Sequence, residues 1–190
     1  MEKNRFILFD RDGVINIEKS YLYKIEDFEY ESGVIEGLEK LKKLGYRFLI
    51  ITNQAGIARG YYTEEDYLKL EKFITEDLKN KGIKIEKTYY CPHHPEGKEN
   101  YGIECDCRKP NTGNFLKAIE EFQIDVKKSF MVGDRITDLI PAEKLGFKTV
   151  LVKTGYGMKN ISKLADNGLK SLVVGSISEF GDFLKENGAM

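Results

Sequence analysis

The sequence predicts an α/β fold, a three-layer doubly wound parallel sheet, and three observations predict it. Short uninterrupted apolar runs, Phe6-Ile7-Leu8-Phe9 first among them, read as strands buried on both faces, as parallel strands are. Between these runs lie stretches with apolar residues at helical spacing, giving the strand, helix, strand order of right-handed crossovers. The runs end in polar residues, Asp10 with Asp12, Thr52 with Asn53, and Gly133 with Asp134, at the strand ends where parallel sheets hold their ligands.

The elements follow in order. After the first strand comes a polar and aromatic loop from Asn16 to Tyr30. Val34, Leu38, Leu41 and Leu44 then recur at helical spacing, and Gly45 stands where a helix stops. Arg47 to Ile51 is the second strand, and Thr52-Asn53-Gln54-Ala55-Gly56 is its polar exit. Thr63-Glu64-Glu65-Asp66 reads as the N-cap and acidic first turn of a long helix, with Leu70, Phe73, Ile74 and Leu78 on its apolar face and Gly82 at its end. Ile85 to Tyr90 is a third strand. Cys91 to Pro110 is a loop too long for a plain connection, so something should hold it or use it. A helix over 112–122, a strand over 129–132, a helix ending at Leu145, a strand over 149–152 and a last strand and helix, 171–174 and 177–184, complete the alternation. With no repeat, low-complexity tract or linker, residues 1–190 read as one domain with the 91–107 loop inserted. The intervals from Asn16 to Val34 and from Thr52 to Thr63 are too short for a large cap domain.

Apolar residues make up 41% and charged residues 32% of the chain, an ordinary soluble composition with no long apolar span. Met-Glu-Lys-Asn-Arg runs directly into the first strand, so no signal peptide is expected and the cytoplasm is the expected compartment. A net charge of −1 offers no general attraction to nucleic acid or to anionic membranes, and an anionic substrate would need a local cluster of cations.

Asp10 and Asp12 are too close to stay ionised together comfortably unless a cation lies between them or one holds a proton. An isolated Asp-x-Asp-Gly is also what an ordinary turn provides. The further clusters at strand ends, with Asp138 and with Arg108-Lys109-Pro110 at the end of the long loop, favour chemistry. Hard carboxylate oxygens suit Mg²⁺, which binds through few carboxylates together with substrate phosphate. The three cysteines, Cys91, Cys105 and Cys107, all lie in the long loop. An odd number argues against a disulfide framework and leaves reduced thiols or a metal site. With His93 they form a set suited to tetrahedral Zn²⁺, although the one-residue spacing in each half is tighter than in ordinary zinc fingers. His94 reads as a solvated loop residue. The aromatic stretches Tyr21–Tyr30 and Tyr61-Tyr62 read as packing or loop anchors.

The order and spacing of Asp10-x-Asp12-Gly13, Thr52-Asn53, Lys109-Pro110 and Gly133-Asp134-x3-Asp138 resembles the four motifs of haloacid dehalogenase superfamily phosphatases. The strings FDRDGVIN, TNQAGIARG, YYCPHHPEG, CDCRKP and MVGD are similar to those of the D-glycero-D-manno-heptose 1,7-bisphosphate 7-phosphatases, over roughly residues 5–157. The resemblance implies a haloacid dehalogenase-like fold and a sugar bisphosphate as the small-molecule partner. Asp10 would be the nucleophile and Asp12 the general acid and base, with Thr52 and Lys109 completing the catalytic set. Asp10, the backbone carbonyl of Asp12, and Asp134 would hold Mg²⁺. Substrate contacts would fall on Glu18, Tyr21, Thr52, Asn53, Gln54, Arg59, Arg108, Lys109 and Arg135. Arg135 stands where the family usually carries lysine, which keeps the charge and changes its geometry. Cys91, His93, Cys105 and Cys107 would hold a structural Zn²⁺ that shapes the loop presenting Arg108 and Lys109.

A histidinol-phosphate phosphatase is the nearest alternative, and Gly56–Gly60 with Cys91–Pro95 favour the heptose enzyme. A phospho-accepting signalling module is the alternative of another class, but it has no use for Asp12 as acid and base. A zinc-dependent nucleic-acid module is disfavoured by the near-neutral charge. The expected partner is thus a small molecule, with no nucleic acid and no membrane, and the expected state is a monomer.

Overall fold

The computed structural model describes residues 4–188; the first three residues, on which the expectation of no signal peptide partly rests, and the last two lie outside them. Six strands, β1 (Phe6–Phe9), β2 (Arg47–Asn53), β3 (Ile85–Cys91), β4 (Phe130–Gly133), β5 (Lys148–Val152) and β6 (Leu172–Val174), form one sheet in the order β3-β2-β1-β4-β5-β6. Every neighbouring pair is parallel. The winding reverses at β1, which pairs with β2 through Phe6↔Arg47 and with β4 through Ile7↔Phe130. The exits of β1 and β4 therefore open side by side onto the crevice at the switch point.

Seven α-helices accompany the sheet among the described residues: α1 (Val34–Lys43), α2 (Ala55–Arg59), α3 (Glu64–Asn80), α4 (Gly113–Phe122), α5 (Ile136–Lys144), α6 (Gly157–Asp166) and α7 (Ile177–Asn187). Side-chain alternation along the strands divides the core into two layers. Ile7 and Phe9 pack with Leu38, Leu70, Ile74 and Phe180, beneath α1, α3 and α7. Phe6 and Leu8 pack with Phe115, Ala118 and Ala142, beneath α4 and α5. Burial on both faces is why these strands lack polar alternation. Between β1 and α1 lies a loop over 10–33 with one 3-10 turn at Ile25–Asp27, and between β2 and α3 only α2 and its flanking turns, so among the described residues no large cap domain covers the sheet edge.

The N-cap of α3 is the one read from sequence. Thr63 Oγ1 accepts from the Asp66 amide at 3.1 Å, and Asp66 Oδ2 accepts from the Thr63 amide at 3.0 Å. Two helices depart from the sequence reading. The polar exit of β2 becomes α2, closed by Gly60 in the left-handed region (φ 72°). The stretch beyond Tyr156, which carries no motif, forms α6, where Ile161 and Leu164 dock against Leu139 and Leu151. Two anchoring residues among lysines, asparagine and aspartate were too weak a pattern to show. Among the described residues, no helix is long and apolar enough to cross a membrane.

Helices α1 and α7 meet at Gly37, where an added Cβ would lie 2.6 Å from both the Ile177 carbonyl carbon and the Ser178 nitrogen. Helix propensity favours alanine over glycine by about 1 kcal/mol, while forcing a methyl into packed backbone costs about 1–3 kcal/mol. Gly37→Ala is therefore expected to lower stability by up to about 2 kcal/mol in a urea titration. A more stable variant would show that the two helices separate without cost.

Candidate active site

Asp10 follows β1 directly, and Asp134 follows β4. Lys109 reaches both neighbours of this edge from the end of the long loop. Its Nζ donates to Asp10 Oδ1 at 2.9 Å, to Asp138 Oδ1 at 2.8 Å and to the Ile51 carbonyl at 2.6 Å, using all three ammonium hydrogens. Burial opposes its charge, but Asp10 and Asp138 outweigh this and hold the group above the ordinary lysine range. The Lys109 peptide is itself clamped: Asn53 Oδ1 accepts from the Lys109 amide and Asn53 Nδ2 donates to its carbonyl, both at 3.0 Å. Asp138, whose role the sequence left undecided, pairs with Lys109 and also accepts from the Arg135 amide at 3.0 Å, capping α5.

Carboxylate oxygens of Asp10, Asp134 and Asp138 all lie within 4.8 Å of one another. Burial, then the charges of Asp138 and Asp12 working against Lys109, raises the Asp10 carboxyl to about 7. Burial, Asp138 and Asp10 raise Asp134 to about 8. Three buried acids face the Lys109 ammonium and, at 3.9 Å from Asp134 Oδ1, Arg135 Nε, so negative charge remains uncompensated. Asp134 Oδ1 is buried and has no hydrogen-bond partner, while Oδ2 accepts from the Tyr156 amide at 2.7 Å. Gly13 and Gly155 press against this carboxylate, since a Cβ on either would lie within 2.4 Å of Asp134 Oδ2. An oxygen-only set with an orphaned buried oxygen fits a hard divalent cation.

Asp12 has a different environment. Its Oδ1 accepts from Arg11 Nη2 and Asn16 Nδ2, each at 3.0 Å, and its Oδ2 from Gln54 Nε2 at 3.0 Å and Arg11 Nε at 3.2 Å. Burial alone would raise its carboxyl, but Arg11, Asn16 and Gln54 hold it below the ordinary value.

The long loop closes on a second cluster. Cys91 Sγ lies 3.5 Å from Cys105 Sγ, Cys105 and Cys107 Sγ are 3.2 Å apart, and His93 Nδ1 lies 3.3 Å from Cys107 Sγ and 3.9 Å from Cys91 Sγ. A tetrahedral zinc bound to sulfur at about 2.3 Å spaces its ligand atoms roughly 3.8 Å apart. The four side chains have the chemistry for that ion, and their ligand atoms, all within 4.8 Å of one another, lie close enough to share one. Glu64, at the start of α3, ties that loop to β3 by accepting from Tyr101 Oη of the loop at 2.8 Å and from Tyr90 Oη of β3 at 2.7 Å.

A cavity of about 410 Å³ opens over the strand ends, lined by Asp10, Asp12, Glu18, Ser20, Tyr21, Asn53, Gln54, Ala55, Arg59, Tyr62, His94, Arg108, Lys109, Arg135, Thr137, Asp138 and Tyr156. Of the residues singled out from the sequence for catalysis or substrate contact, all but Thr52 reach this wall. Thr52 is buried, with its hydroxyl accepting from Gln54 Nε2 at 2.9 Å. Asp134 is also fully buried. Arg135 lies flat over the Tyr156 ring, 3.8 Å from its centroid, and reaches Glu18 at 3.4 Å. Tyr21 sits at the mouth with its ring edge-on to Tyr61, so it belongs to the cavity as well as to loop packing.

His94 corrects a sequence expectation. Instead of a solvated loop residue, it is half-buried on the cavity wall, with Nε2 3.3 Å from Arg59 Nη2. Burial, then Arg108 and Arg59, hold its imidazole below the ordinary histidine range. Nothing in the spacing of the loop marks His94 apart from its neighbour His93. Tyr62, expected to serve packing, also lies on the cavity wall and donates to Gln54 Oε1 at 2.7 Å. Arg11, Asn16 and Tyr156 carry no signal in the sequence beyond their nearness to motif residues.

The sequence model of the HAD-hydrolase-like family matches residues 106–179. The D-glycero-beta-D-manno-heptose-1,7-bisphosphate 7-phosphatase of Pasteurella multocida (strain Pm70) is 42% identical over 94% of this chain and 96% of its own. The D-glycero-alpha-D-manno-heptose-1,7-bisphosphate 7-phosphatase of Photorhabdus laumondii is 48% identical over 81% of this chain and 85% of its own. Among solved structures, D,D-heptose 1,7-bisphosphate phosphatase from B. bronchiseptica, complexed with magnesium and phosphate, superposes with a TM-score of 0.84 at 26% identity, covering 97% of this chain and 99% of that one. With this identity over nearly its whole length, and with acids, lysine and cysteine loop gathered at one sheet edge, the chain belongs to the heptose-1,7-bisphosphate 7-phosphatase family of HAD-like hydrolases.

Proposed function

We propose that residues 1–190 form one catalytic domain that removes the 7-phosphate of D-glycero-D-manno-heptose 1,7-bisphosphate through an aspartyl-phosphate on Asp10. The observation that carries the reading is the Lys109 ammonium bridging the β1 and α5 carboxylates inside the cavity, in a chain 42% identical to a named heptose bisphosphate phosphatase. Asp10 attacks phosphorus, the bond from phosphorus to the sugar oxygen breaks, and Asp12 gives that oxygen its proton. Asp12 then takes a proton from water, which attacks the aspartyl-phosphate, releases phosphate and restores Asp10. Lys109 offsets the charge of nucleophile and phosphoryl group throughout, and the Asn53 amide holds a phosphoryl oxygen, while Thr52, buried behind the cavity wall, braces Gln54 instead of touching phosphate. Asp10, the Asp12 carbonyl and Asp134 would hold Mg²⁺, which supplies further charge compensation when bound.

Arg59, Arg108 and Arg135 would take the second phosphate, with Glu18, Tyr21 and Gln54 contacting the sugar, and the partly buried neutral His94 beside Arg59 supports that assignment. Cys91, His93, Cys105 and Cys107 would bind Zn²⁺ with four protein ligands, leaving it no open position for catalysis. The protein would act as a cytoplasmic monomer in nucleotide-heptose biosynthesis, with no nucleic-acid or membrane partner.

Three outcomes test this. Asp10→Asn should lose about 10⁴-fold or more in kcat while keeping its fold by circular dichroism; a verified pure variant with substantial turnover would exclude the covalent route. Asp12→Asn should lose about 10²–10⁴-fold in kcat/KM on the heptose bisphosphate. It should lose under about tenfold on p-nitrophenyl phosphate, whose leaving group needs no proton. Protein purified without added metal should contain one zinc per chain, and Cys107→Ser should lose zinc, thermal stability and activity together, with no rescue by Mg²⁺. Fully active protein without zinc would refute the structural assignment.

A further inference from the structure

Arg11 takes no part in the mechanism above, yet it is the largest fully buried side chain described. A buried guanidinium is expensive to desolvate, and an apolar residue at such a position often stabilises a fold as well or better. Its contacts are directed. Nε and Nη2 grip both oxygens of Asp12 as a fork, at 3.2 and 3.0 Å. Nη2 also donates to the Leu22 carbonyl at 3.1 Å, and the guanidinium stacks 5.5 Å from the Tyr67 ring centroid. Behind that ring, the buried Glu71 accepts from Thr88 Oγ1 at 2.5 Å. The Leu22 carbonyl, the Tyr67 ring and the charge of Glu71 thus hold the guanidinium in place, and although its third nitrogen, Nη1, is buried without a hydrogen-bond partner, the Nε–Nη2 edge presents a fixed plane to Asp12.

We propose that Arg11 is the positioning residue of the acid and base: its planar fork, completed by Asn16 and Gln54, fixes the rotation at which the Asp12 carboxyl faces the cavity. The inference rests on the assignment of Asp12 above. A lone cation would hold the carboxylate by charge but leave it free to rotate, whereas a bidentate fork sets its plane. The four donors divide evenly, two on each oxygen, so the carboxylate has no alternative partner to turn toward. To carry a proton Asp12 releases one donor, and the fork keeps the group aimed while it does so. Asn16 is fully buried and off the cavity wall, so it acts on Asp12 without touching substrate.

The test compares kcat/KM, which reports only the steps up to phosphoryl transfer, on two leaving groups. Arg11→Lys keeps the charge and loses the fork. It should lower kcat/KM about 10–100-fold on heptose 1,7-bisphosphate and less than about threefold on p-nitrophenyl phosphate. In the Asp12→Asn background the same substitution should change neither value further. Should Arg11→Lys fail to fold, Asn16→Ala removes one donor without stranding a buried cation, and the same selective loss is expected. Equal losses on both substrates, or a further loss on top of Asp12→Asn, would overturn the positioning role. If Asp12→Asn is itself unselective, the acid–base assignment falls; if it is selective and Arg11→Lys and Asn16→Ala are not, only this inference falls.

Discussion

Lys109 Nζ touches oxygen on three separate elements, at the end of β1, on α5 and in β2, and each contact is buried. The ammonium is the only protein cation that meets both Asp10 and Asp138 among the described residues, and it makes their shared burial tolerable. Without it the two buried acids would repel each other, with the backbone amides of Arg11 and Arg135 left to donate to them and no cation between them. The same group reports on the sheet: its three acceptors converge only because β1 lies beside β2 on one edge and β4 on the other.

Much of the remaining architecture serves to deliver that one amine. The loop from Cys91 to Cys107 is anchored at β3, closed on itself by sulfur and imidazole, and tied to α3 through Tyr101 on Glu64. Arg108 and Lys109 follow at once, and Asn53 catches the Lys109 peptide from β2. Asp10 and Asp134 thus follow strand ends and Asp138 a helix, while at the mouth Tyr21, His94 and Arg108 ride on loops and Arg59 ends the short α2. Rigid chemistry beneath an adjustable rim suits one reaction with selectivity set by local loop residues.

Both the sheet and the principal acids were readable because burial on two faces leaves a plain signature. Phe6 to Phe9 has no polar alternation, and Asp10 ends it abruptly. The cysteine set was readable because thiolates at close spacing have few other uses. Arg11 was hidden for the opposite reason: an arginine between two aspartates looks like an ordinary charged turn, and nothing local says that its side chain is buried. The Asn53 clamp depends on a partner at Lys109, fifty-six positions away, and His94 on an arginine thirty-five positions away. Such roles exist only once distant segments meet. Helix α6 was missed because its anchoring contacts are few and its remaining residues are those of a solvated surface.

The central place of β1 has a consequence for how the protein is made. A chain leaving the ribosome supplies β1, β2 and β3 within its first ninety-one residues, and these can pair at once. The other edge of β1 finds its partner only when Phe130–Gly133 has emerged. For that interval the nascent protein exposes a short, wholly apolar strand edge, the feature most prone to pairing with the wrong chain. Asp138, the second carboxylate of the lysine bridge, arrives in the same late stretch. Closure of the second edge of β1 and arrival of the last acid of the lysine bridge therefore belong to one stage of synthesis, so the stage most open to aggregation is also one without the finished catalytic centre, which Tyr156 completes later still.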